Sequence, residues 1–240
     1  MHSKTHPIIT LYAISVAILL MTFACGEQQK SAPAKKTGQS AGTFTFFDVN
    51  SQSRFSKSLR RDLKKILGDD AIESRNVIDL EAIYKGFLKN YFPDVDAINR
   101  QLNSPLGERI DHNTVKLMYR YARKKNVPFD YIEIVFSKYS DKPLLIKIRF
   151  KTDEADTVNN LELKYGPPKS IDLKTPKTKA LFWRKDEDLL LVSMVPDQIG
   201  IPRYRIAIYY TQNLKELIKT EELENKAKQQ QKTKSGRTAF

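Results

Sequence analysis

Cysteine is almost absent, and Cys25 is the only one in 240 residues. No disulfide can close within the chain, and no Cys/His metal cluster can be assembled. Histidine is nearly as scarce. Of the three, His2 and His6 sit at the extreme N-terminus, so His112 alone would have to serve a Ser-His-Asp or Cys-His site. No G-x-S-x-G elbow supports one. The nine glycines form neither G-x-G-x-x-G nor a P-loop. These absences leave no cofactor expected. Acidic residues are outnumbered, 28 against 41 Lys and Arg, for a net charge of +13. That excess favours anionic partners such as lipid headgroups, cell-wall polymers or acidic proteins. Long apolar runs are missing too, with one exception at Ile8–Ala24.

That run carries no charge and follows a short polar segment containing Lys4. It is long for the core of a cleaved signal and short for a spanning helix. Ala24 precedes Cys25, and Gly26 follows it. The junction resembles the lipobox of bacterial lipoproteins, although Thr22 and Phe23 depart from its usual form. The resemblance covers residues 1–25 only. It implies a signal peptide over 1–24, a diacylglycerol thioether on Cys25 and an acylated amine. It also implies a cell-envelope protein held by lipid, with Gly26 resembling the sorting of outer-membrane lipoproteins facing the periplasm. The alternative is a single uncleaved N-terminal transmembrane anchor. Two or more acyl chains hold a protein stably at a bilayer, where one chain binds marginally.

Residues 25–43 lack apolar periodicity and are rich in Ser, Gly, Ala, Lys and Gln. They read as a flexible tether. Residues 226–240 (KAKQQQKTKSGRTAF) read as a disordered basic tail. No internal repeat is visible. Between the tails the fold class expected is α+β. A helical region over 44–127 precedes an antiparallel region over 128–225 of order β-β-α-β-β-β-α, with helices on one face. Phe55, Leu59, Leu63, Ile66 and Leu67 share one helical stripe that Gly68 would end. Leu80 to Tyr91 reads as a second helix, Asp94–Leu102 as a short third, and Asn113–Lys125 as a fourth. Ile132–Phe136 and Leu144–Phe150 alternate as a hairpin. A helix over Glu154–Tyr165 follows, then strands near Leu181–Arg184, Leu189–Val195 and Tyr204–Tyr210, and a last helix from Asn213.

Three clusters invite a functional reading. Arg54, Lys57, Arg60, Arg61, Lys64 and Lys65 occupy the polar side of the first helix and could contact an anionic surface. The plainer reading is a core helix with a wet basic face. Glu108, Asp111 and His112 could combine carboxylates with a base, or simply cap the next helix. Tyr119 to Lys125 interleaves tyrosines with cations, as base-stacking surfaces do. An envelope location argues against nucleic acid, and helical spacing would turn Tyr121 inward and the cations outward. Two functional classes follow: a non-catalytic binding or assembly module for a protein or anionic envelope partner, and a carboxylate-dependent envelope hydrolase. Neither a catalytic residue nor a metal ligand is assigned.

Overall fold

A computed structural model describes residues 43–121, 127–151, 155–173, 178–196 and 200–237. The expected signal, Cys25 and nearly all of the tether lie outside these residues. The described chain is α+β, with five helices and one eight-stranded, fully antiparallel sheet. Helix α1 spans Lys57–Leu67. Ser56 caps it by accepting the Leu59 N–H at 3.1 Å, and Gly68 ends it at φ 84°, where a side chain is disfavoured. Strand β1 (Ala71–Asn76), short helix α2 (Phe87–Tyr91) and α3 (Pro93–Leu102) follow. Then come β2 (His112–Arg120), β3 (Phe129–Ser137) and β4 (Pro143–Phe150). Helix α4 (Ala155–Tyr165) precedes β5 (Lys169–Asp172), β6 (Lys179–Lys185), β7 (Asp188–Pro196) and β8 (Pro202–Tyr209). Helix α5 runs from Thr211 to Arg237.

Several expectations are corrected. The first half is not a helical region, because it supplies β1 and β2 to the sheet. The stretch expected as a helix over Asn113–Lys125 is β2 as far as Arg120. Val115, Leu117 and Tyr119 alternate inward on one face and pair with β3, a period of two that short apolar segments share with a helical reading. The second helix shrinks to Phe87–Tyr91, since Leu80 is held instead in a loop by its N–H to the Asn99 side chain at 2.8 Å. The second half contains one more strand than expected, β5, a four-residue edge strand. Ile66 is more than half exposed, although Leu63 and Leu67 beside it are buried. Helix α5 extends as far as Arg237 into the stretch read as a disordered tail, and its side chains from Glu222 to Thr233 are exposed.

The sheet order is β1-β2-β3-β4-β8-β7-β6-β5. The chain therefore lays down two units of one topology. Each has a leading helix and four antiparallel strands that run from a sheet edge to its centre, the first unit with α2 and α3 inserted between β1 and β2, and the units meet at β4 and β8. Helices α1 and α4 pack on the same face, against Val115, Leu117, Ile134, Ile148, Leu190 and Ile208 among others. Helices α2, α3 and α5 cover the opposite face through Phe87, Val95, Ile98, Leu214 and Leu217, against Val135, Leu145, Leu189 and Tyr209. Helices thus cover both faces, not one. A side chain such as Leu117 or Ile146, wholly removed from water, contributes about 1.5–3 kcal/mol relative to leaving it exposed.

The N-terminal strap is part of this core. Phe44 and Val49 are fully buried, and the Tyr210 hydroxyl lies 3.2 Å from both of their carbonyls. The Thr45 N–H donates to the Tyr165 hydroxyl at 3.0 Å, which ties the strap to the end of α4. Trp183 Nε1–H donates to the Gly166 carbonyl at 2.7 Å and secures the same helix end to β6.

Candidate anion-binding groove

The basic face of α1 is largely engaged within the protein. Arg60 makes a two-point contact with Asp70 at 2.9 and 3.0 Å, and this holds its guanidinium pKa above the ordinary value. Lys64 pairs with Asp69 at 2.7 Å, and Lys65 pairs with Asp62 at 2.9 Å. Arg54 donates to the Ser140 carbonyl at 2.7 Å. Lys57 and Arg61 are the two remaining cations of the six, and both are exposed. The apolar stripe beneath them belongs to the domain core through Leu63 and Leu67, so α1 cannot present it to a bilayer while the core is intact.

A different set of cations converges on the sheet. The loop carrying Asp79 to Ala82 crosses the sheet and is pinned there: the Tyr209 hydroxyl donates to the Leu80 carbonyl at 2.7 Å, and Lys147 Nζ donates to the Asp79 carbonyl at 2.6 Å. Beyond this loop a groove of about 250 Å³ opens over β3, β4, β8 and β7. Leu191 and Ala207 give it an apolar floor, while Glu81, Tyr131, Lys147, Arg149, Ser193 and Arg205 supply its polar groups.

The register brings these residues together. Arg120 lies opposite Tyr131, Tyr131 opposite Arg149, Arg149 opposite Arg205, and Arg205 opposite Ser193. One row across five strands thus carries three arginines and no carboxylate. A register shift between Phe129 and Tyr131 sets an extra residue, Asp130, beside Arg149, and its carboxylate takes the Nε–H at 2.8 Å. The Arg149 guanidinium also lies 5.7 Å from the centre of the Tyr131 ring. Glu133, opposite Lys147, accepts the Tyr131 hydroxyl at 2.7 Å. Burial lowers the pKa of Lys147, and the nearby carboxylates of Glu133, Asp79 and Glu81 offset only part of that. The second oxygen of Glu81 is buried without a hydrogen-bond partner, while its first accepts the Gly86 N–H at 2.8 Å.

A second cavity, of about 330 Å³, lies where α5 passes the start of β2, and its walls include Arg75, Asp111, Tyr139, Glu221, Glu224 and Lys228. His112 sits beside it, buried, and is the first residue of β2 and not part of a helix that Asp111 caps. Its Nδ1 faces Glu221 Oε2 at 2.7 Å and its Nε2 faces the Leu102 carbonyl at 2.8 Å. Glu221 also accepts the Asn113 N–H at 2.9 Å. Burial alone would lower the imidazole pKa, but the hydrogen bonds to Glu221 and Leu102 outweigh it and the net shift is upward. This pair staples α3, β2 and α5 together. Asp111 pairs with Arg109 at 2.8 Å, and Glu224 takes contacts from Tyr139 at 3.0 Å and Lys228 at 3.3 Å. Among the described residues, no group of three or more His, Cys, Asp or Glu side chains is placed to hold a metal ion.

Comparison with protein-family models, with curated proteins and with solved structures finds no match. The function must therefore be argued from the geometry. Sequence reasoning missed the arginine row because its three arginines come from three separate strands with unremarkable spacing. Arg149 and Arg205 fall within expected strands, but nothing in sequence set β4 beside β8. Glu221 as the partner of His112 was hidden for the same reason, 109 residues away. Among the described residues no helix is long and apolar enough to cross a membrane.

Proposed function

We propose that this protein is a lipid-anchored cell-envelope module, attached through Cys25, that binds an anionic or protein partner without chemistry. The observation that carries the binding part is the groove over β3, β4, β8 and β7, whose lining includes Lys147, Arg149 and Arg205 against one acidic residue, Glu81, with Asp130 pairing Arg149 from outside that lining. Cations gathered over an apolar floor attract an anionic group and hold its less polar part. The lipid anchor rests on the junction of the apolar run with Ala24-Cys25-Gly26. It places the protein at a membrane, with the outer membrane as the destination that Gly26 favours.

Mass spectrometry of the full-length protein from its native envelope tests the anchor. An acyl group on Cys25, lost together with processing in Cys25→Ser, is the expected result. Wild-type protein without an acyl group on Cys25 overturns the lipoprotein reading.

The competing reading is a carboxylate-dependent hydrolase. Asp111, Glu221 and Glu224 line one cavity of about 330 Å³, and paired carboxylates are what such chemistry needs. Each of the three is held by a donor or cation, which favours a structural role. Hydrolysis of envelope glycans by wild-type protein, abolished in Glu224→Gln, would establish the hydrolase instead.

A further inference from the structure

Like charges placed directly opposite one another in a sheet cost stability. Arg149 and Arg205 are such a pair, on adjacent central strands β4 and β8. Both are exposed on the face where the groove opens. Asp130 neutralises Arg149 in part, through its Nε alone in the contact at 2.8 Å. Arg205 instead faces Ser193 on its other side, a buried hydroxyl residue. No carboxylate stands in the row from Arg120 to Ser193. A surface row chosen for stability alone would alternate charge here, as Glu133 and Lys147 do one pair further along.

We propose that Arg149, Arg205 and Ser193 form a binding site for the phosphate group of a small organic phosphate, whose carbon part rests on Leu191 and Ala207. This deepens the binding-module reading and rests on it. Two guanidinium groups offer several N–H donors in planar forks, which suit an anion with three or more acceptor oxygens. The bound phosphate lies between the two arginines and removes their mutual repulsion. The groove, at about 250 Å³, falls below the usual range for drug-sized ligands. It therefore fits a phosphate with a few carbons and not a length of polymer. Lys147 stands on the wall of the same groove but is turned to the Asp79 carbonyl, so it adds charge at a distance.

Isothermal titration calorimetry on the full-length chain in neutral detergent tests this. The probes are inorganic phosphate and glycerol phosphate, with acetate as the single-carboxylate control and phosphatidylglycerol vesicles as the lipid source. Saturable one-to-one binding of both soluble phosphates is expected, weakening as salt rises, with acetate weaker by tenfold or more. Arg149→Gln and Arg205→Gln should each weaken binding by about tenfold or more, and Ser193→Ala by a few-fold, as lost hydrogen bonds to a charged ligand do. Lys57→Gln with Arg61→Gln on α1 should change nothing. Without phosphate, Arg205→Gln should unfold at a urea concentration no lower than wild type, because a repulsive pair is gone. A variant that fails to fold is replaced in the comparison by Ser193→Ala. The site is refuted by absent phosphate binding in wild type, by unchanged binding in both arginine variants, or by binding that follows the α1 cations. Binding to vesicles without binding to either soluble phosphate also refutes it. None of these results bears on acylation of Cys25, so failure of the site and failure of the lipoprotein reading are read separately.

Discussion

Replacing Glu221 with glutamine should destabilise the protein strongly at pH 5.5 and only slightly at pH 9. In the wild type both imidazole nitrogens of His112 face acceptors, Glu221 at 2.7 Å and the Leu102 carbonyl at 2.8 Å. A neutral imidazole has one N–H and satisfies only one of them, whereas the imidazolium satisfies both. This is why the folded pKa lies above the usual 6.5. A group whose folded pKa is raised contributes its stability fully below the unfolded value, and that contribution disappears as pH climbs through the folded value. Glutamine changes the requirement. Its carbonyl can still accept the Asn113 N–H, and its amide N–H can donate to Nδ1, so the neutral ring now fits. Protonating the ring in the variant leaves a buried charge without its partner, a loss of about 3–5 kcal/mol. The loss at pH 5.5 should therefore be about 3 kcal/mol, and at pH 9 about 1 kcal/mol or less. Urea unfolding of the full-length chain reads this directly through Trp183, the single tryptophan, which is buried against the end of α4. With a urea dependence of about 1–3 kcal/mol per molar, the midpoint falls by roughly 1–3 M at pH 5.5. An equal shift at the two pH values, or none at either, would show that the His112–Glu221 contact is not an ion pair.

Two further outcomes follow from the core. Asp188 is pushed up to about 6, first by burial and then by Asp186 and Glu187, against the opposing hydrogen bonds from the Thr211 N–H at 3.0 Å and the Thr43 hydroxyl at 3.3 Å. A raised carboxyl pKa means stability present below the unfolded value and lost as pH rises through about 6. Asp188→Asn should thus match wild type near pH 4 and exceed it by about 2–3 kcal/mol above pH 7, measured by thermal unfolding. Leu117→Ala, at a fully buried position on β2, should cost about 2–5 kcal/mol in urea unfolding. A solvent-facing position would lose well under 1 kcal/mol.

Much of the local structure was decided by residues near one another. Ser56 and Gly68 bracket α1 because a hydroxyl can take an orphan N–H and a glycine can adopt φ 84°. The β3–β4 hairpin was legible from alternation, the strands β6, β7 and β8 from short apolar and aromatic runs, and Gly166 with the two prolines after it marks the end of α4. The basic excess and the lone Cys25 after an apolar run are likewise properties of composition and order. What only tertiary structure decided is pairing over distance. The segment from Val115 to Tyr121 has apolar residues that suit a helix or a strand, and β1 on one side with β3 on the other make it a strand. Edge strand β5 is four residues long and has no burial pattern of its own to announce it. The two-faced cover of helices, the meeting of β4 with β8 and the resulting Arg149–Arg205 pair depend on which hydrophobic faces find each other. Local propensity is set within a turn or two of backbone, whereas strand order is set by the burial of both faces of the sheet at once, and no window of neighbouring residues contains that information.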